Sequence, residues 1–113
     1  MGTVTLSASL VARPGARREL AQALLDWVAA ARRAAGIVRS SVCEDIEAEA
    51  AFELIAEWET PAALGIHVSS ESFGILLGAM SVLADPVRMS VTRAADEYGT
   101  DALWALKRLR EAR

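Results

Sequence analysis

The chain has 113 residues, 53% of them apolar and 24% charged, enough for one folded domain with a real core and too apolar for a disordered chain. Twelve basic against fifteen acidic residues give a net charge of −3, without the pull that nucleic acid or an anionic membrane requires. A lone cysteine, Cys43, excludes an internal disulfide and a zinc site, and a lone histidine, His67, excludes a multi-histidine metal centre.

The first ten residues lack the basic start of a secretory signal. The longest nearly apolar stretch, Phe73 to Ala84, falls short of the roughly 18 residues a membrane span needs. No low-complexity tract, heptad or solenoid period is visible. These features predict a cytoplasmic protein with no metal, no membrane association and no nucleic-acid partner.

The pattern of residues 3–12 predicts a half-buried strand. Val4, Leu6, Ala8, Leu10 and Ala12 share one face; Thr3, Thr5, Ser7 and Ser9 share the other. Arg13-Pro14-Gly15 breaks it. From Ala16 the period changes to three and four, with Leu20, Leu24, Trp27, Val28 and Ala31 on the stripe of an amphipathic helix. Arg32 and Arg33 are expected in its last turn, suiting the helix dipole, and Gly36 as its stop. Ile37 to Glu44 predicts a second strand, Val38, Ser40 and Val42 on one face and Ile37, Arg39, Ser41 and Cys43 on the other. A polar loop, Asp45 to Ala50, leads to a third strand over 52–59, where Phe52, Leu54, Ala56 and Trp58 alternate with Glu53, Ile55, Glu57 and Glu59.

Thr60 and Pro61 read as the N-cap and first residue of a helix with the stripe Leu64, His67 and Val68. Ser69-Ser70-Glu71 interrupts it, and a second helical piece carries Phe73, Leu76, Leu77, Met80 and Leu83 up to Asp85-Pro86. Val87, Met89 and Val91 alternate in a fourth strand. After a break at Tyr98-Gly99-Thr100, residues 101–113 form a terminal helix with Leu103, Trp104, Leu106 and Leu109, its end crowded by Lys107, Arg108, Arg110 and Arg113. The order is that of an α+β, ferredoxin-like βαββαβ fold: an antiparallel four-stranded sheet with helices on one face. It assigns residues 1–95 to the domain and 96–113 to a C-terminal helical extension. The other sheet face, carrying Val11, Ile37 and Ile55 among polar groups, is expected to stack on a second copy in a homodimer.

Three features then carry a resemblance: Ala12-Arg13-Pro14-Gly15 before the first helix, Glu57-Trp58-Glu59 ending the third strand, and the spacing of Trp58, Leu64, His67, Ser70 and Phe73. Together they resemble the antibiotic biosynthesis monooxygenase (ABM) family of the dimeric α/β-barrel superfamily, over about residues 3–93. The resemblance implies homodimers joined through their sheets and a mostly apolar pocket between sheet and helices. It implies oxidation of aromatic quinols or polyketide-like phenols to quinones by O2 as co-substrate, with no flavin, haem or metal cofactor. Polyketide-oxidising relatives place Asn where this chain has Leu54. Quinol-oxidising relatives carry His where it has Ser72, and Tyr and His where it has Ser40 and Cys43. The haem-degrading pattern is missing at Ala8 and Leu77.

Trp58 and His67 are the candidate catalytic residues, Trp58 to stack on and hydrogen-bond the substrate, His67 to assist proton removal. Leu54, Phe73, Ser72, Met80, Met89 and Ser40 are the candidate substrate-binding residues. The expected ligand is a small apolar aromatic molecule. The alternative is a non-catalytic small-molecule-binding protein on the same dimeric scaffold.

Overall fold

A computed structural model describes residues 2–85, 87–94 and 100–111. In chain order the elements are β1 (Val4–Val11), α1 (Arg17–Ala31), β2 (Ile37–Glu44), β3 (Ala51–Trp58), α2 (Pro61–Val68), α3 (Glu71–Leu83), β4 (Arg88–Arg93) and α4 (Thr100–Glu111). The sheet is antiparallel, in the order β2-β3-β1-β4. The α+β, ferredoxin-like architecture expected from the sequence is therefore the one observed. The expected break at Tyr98-Gly99, the helix-ending Pro86, the terminal Arg113 and the side chains of Leu103 and Arg110 lie outside the described residues.

The two central strands build the core. Antiparallel pairing sets Leu6 opposite Ala56, Ala8 opposite Leu54 and Leu10 opposite Phe52, so their inward positions form one apolar surface. The α1 stripe of Leu20, Leu24, Trp27, Val28 and Ala31 covers that surface, joined by Phe73, Leu76 and Met80 from α3. α2 begins where the sequence places its cap: Thr60 Oγ1 accepts from the Ala63 amide at 3.1 Å, with Pro61 next. α3 begins at a second cap, Ser70, whose Oγ accepts from the Phe73 amide at 3.3 Å. The two helices meet at a 67° bend.

Several expectations shift. Val38 is a bulge between two registers of β2, with Ile37 paired to Trp58 and Arg39 to Glu57. Ile37 therefore packs against the core rather than on the open face, and Val38 is exposed. The extra residue moves one side chain across the sheet, which period-two alternation cannot reveal. α1 ends at Ala31, so Arg32 is its C-cap and Arg33 lies beyond it. The Arg32 Nε donates to the Ser40 carbonyl at 3.1 Å, tying the helix end to β2. Gly36, at φ +80°, is in the turn entering β2, past the helix end. Val68 and Leu77 are exposed, because α2 buries Leu64 and His67 and α3 buries Phe73, Leu76 and Met80, which leaves both residues beside the buried side of their helix.

The open face is largely polar. The Ser7 and Ser90 hydroxyls are 3.0 Å apart, Ser9 donates to Glu53 at 2.7 Å, and Arg39 and Thr3 both donate to Glu57. On α4, Trp104, Leu106 and Leu109 are exposed, with the Lys107 ammonium 5.3 Å from the Trp104 ring centroid. No single helix among the described residues is long and apolar enough to cross a membrane.

Leu54 is fully buried on the central strand, flanked by Ala8 and Val42. Leu54→Ala is expected to destabilise the fold by about 2–5 kcal/mol, seen as a lower urea midpoint at unchanged slope.

Candidate functional site

Four rings converge between sheet and helices. Trp58 is the last inward residue of β3. His67 is turned inward because the Thr60-Pro61 start fixes the phase of α2, burying Leu64 and His67 on one side. Phe73 follows the Ser70 cap, and Trp27 comes from the α1 stripe. His67 is the hub: its ring centroid is 5.2 Å from Trp58, 5.3 Å from Trp27 and 6.2 Å from Phe73. Trp27 also lies 6.4 Å from Trp58 and 6.4 Å from Phe73. These are distances at which ring edges and faces attract.

The polar atoms of the cluster are unusual. Nε1 of Trp27, Nε1 of Trp58 and Nε2 of His67 are buried with no hydrogen-bond partner. Ser40 Oγ, on β2, is buried in the same state. An unpaired buried polar group costs about 1–3 kcal/mol, so these atoms make the cluster a costly part of the core. Burial alone pushes the His67 pKa below its ordinary 6.5; no carboxylate counters it. The imidazole is therefore neutral near pH 7 and able to accept a proton.

The remaining candidates are dispersed. Leu54 is fully buried on the β3 face that carries Trp58. Ser72 lines a cleft of about 570 Å³ between α1 and α3, with Asp26, Trp27 and Glu71. Met80 and Met89 line another of about 360 Å³, with Arg13 and Asp85. A third, of about 480 Å³, lies beside α2 and has His67 in its wall. Trp58 is fully enclosed, with Trp27 and His67 against its ring, so its stacking surface is taken by protein. Cys43 is exposed. Sequence reasoning left Trp27 as an ordinary core residue; its helical spacing announced burial but not its contact with His67. No group of three or more acidic, histidine or cysteine side chains among the described residues is arranged to hold a metal.

A four-stranded antiparallel sheet, helices on one face and an aromatic cluster between them define a class of small ferredoxin-like proteins. The sequence profile described as antibiotic biosynthesis monooxygenase matches residues 3–74, and the chain belongs to that family. Among solved structures, the chain is similar to a Pseudomonas aeruginosa protein at 26% identity, covering 85% of this chain and 97% of that one, with a TM-score of 0.76. A Mycobacterium tuberculosis protein matches at 22% identity over 86% of this chain and 99% of its own, TM-score 0.77. SnoaB, a cofactor-independent oxygenase from Streptomyces nogalater, matches at 18% identity over 86% and 97%, TM-score 0.74. No curated protein matches the sequence significantly.

His67 titration checks the electrostatics. NMR of the folded protein is expected to give an imidazole pKa below 6.5. The unfolded chain then binds more protons than the native one between the two pKa values, so stability falls as pH drops from about 6.5 through the folded value. His67→Gln is expected to remove that part of the pH dependence, measured by urea unfolding across the window.

Proposed function

We propose that this protein is a cofactor-independent monooxygenase that oxidises an aromatic quinol or polyketide-like phenol to a quinone. The observation that carries the reading is a neutral, desolvated histidine among aromatic rings whose nitrogen atoms lack partners. Family membership and the fold shared with a cofactor-independent oxygenase support it.

The chemistry needs little from the protein. His67 takes the phenolic proton, and the resulting phenolate is electron-rich enough to pass one electron to O2. The two radicals combine at the ring carbon para to the oxygen, and the proton returns from His67 to give a hydroperoxide. Loss of water from that carbon, which carries one hydrogen, leaves the second carbonyl. Phenol and O2 thus become quinone and water; a quinol, whose para carbon already carries oxygen, instead passes two electrons and two protons to O2 and becomes quinone and hydrogen peroxide. The Trp58 indole N–H, beside His67, is the donor for the substrate oxygen as it gains charge, and Phe73 bounds the same cluster; Leu54 in the core, and Ser72, Met80 and Met89 on separate clefts, lie apart from it. Exclusion of water keeps His67 uncharged and the radical pair together. In this reading residues 1–95 form the working domain, and the open sheet face pairs with a second copy.

Leu54 in place of the Asn of polyketide-oxidising relatives favours a second reading, binding without turnover. Oxygen uptake by metal-stripped protein, offered anthrones and naphthoquinols, separates the two. Enzyme-dependent uptake is expected, reduced about 100-fold or more by Trp58→Phe, which removes the N–H together with the fused five-membered ring, and by His67→Gln. Saturable binding with no uptake above autoxidation would establish the second reading instead.

A further inference from the structure

We propose that α4 is an exchange arm: the α4 of one copy lies in the cleft between α1 and α3 of a second copy, as a third helix of that layer. α4 follows the last strand of the sheet, and all six residues from Trp104 to Leu109 are exposed. Leu106 is 66% exposed and Leu109 65%. The chain is elongated, with a radius of gyration of 16.7 Å, where about 13 Å is usual for a compact chain of this length. The described part of α4 thus carries apolar side chains that its own domain leaves uncovered, and an amphipathic helix in that state needs a partner surface.

Shape and charge select the surface. Leu109 lies three and four positions after Leu106 and Ala105, so the three share one side of α4. The cleft between α1 and α3, the largest of the three described above, has an apolar floor of Ala23, Trp27 and Leu76, with Ile75 at its edge and 66% exposed. α1, α3 and α4 have 15, 13 and 12 residues, about 22, 20 and 18 Å, so α4 matches the walls of the cleft in length. Asp26 and Glu71 line the cleft from opposite walls, and Arg108, three positions after Ala105, borders the apolar side of α4. Asp26 accepts from Gln22 at 2.8 Å, whereas neither Glu71 nor Arg108 makes an ion pair among the described residues. The other clefts lack this match: the one with Met80 carries Arg13, which opposes a basic helix, and the one beside α2 has no carboxylate. Each copy has one arm and one cleft, so the exchange is reciprocal and can close on a two-fold axis. The cleft is on the helix side of the sheet, so this contact is separate from one through the open sheet face and independent of the oxygenase reading.

The test uses two single-cysteine versions of the full chain, produced together in one cell, both with Cys43→Ser. One carries Leu109→Cys; the other carries Ile75→Cys and a tag that changes its size on a gel. Both positions are exposed, so neither change disturbs the core. In oxidised glutathione a disulfide between the two chains is expected, and it can only join separate copies. Ser81→Cys in place of Ile75→Cys, in the cleft with Arg13, is expected to cross-link about tenfold more slowly. Glu71→Lys in the tagged chain is expected to slow the Ile75→Cys cross-link about fivefold, and Arg108→Glu in the other chain to restore it, which a folding defect would not allow. The proposal is overturned if the mixed disulfide does not form, if Ser81→Cys cross-links as fast, or if the charge reversal has no effect. It is also overturned if a chain with both Leu109→Cys and Ile75→Cys closes on itself faster than it joins a second copy, which would put α4 on its own domain.

Discussion

The register between β1 and β3 is the constraint on which the rest of the molecule depends. Because side chains alternate across a strand, one register puts Leu6, Ala8 and Leu10 beside Ala56, Leu54 and Phe52, and a slip of one would send every apolar residue to the wrong face. With the register set, one sheet face must be covered, and α1 and α3 are the elements with apolar stripes to cover it. Trp58 follows automatically: it ends the inward series of β3, opposite Val4, where α2 crosses the strand end.

Into that apolar corner the protein places a histidine. Burying an imidazole among Trp27, Trp58 and Phe73 suppresses its charged form and leaves nitrogen atoms without partners. An apolar side chain of similar size would avoid that cost. His67 also lines the cleft beside α2.

The family to which the chain belongs shares the scaffold. The two candidate pocket residues Leu54 and Ser72 are placed apart on it. Leu54 is packed into the core, and Ser72 faces the separate cleft between α1 and α3.

Local periodicity determined most of the fold. Alternation in 3–12 and 52–59, the Leu20 to Ala31 stripe and the cap at Thr60 were legible because each depends on residues a few positions apart. Trp58 and His67 stood out as single residues with useful chemistry. Their partners did not: Trp27 is forty residues from His67 in sequence, roughly, and only the packing of α1 on α2 and β3 brings the rings together. The bulge at Val38, the exposure of Val68 and Leu77, and the separation of Met80 and Met89 from Trp58 were likewise decided in three dimensions. Periodicity states which side of an element is buried; what that side meets depends on contacts between segments far apart in the chain, which only the tertiary structure supplies.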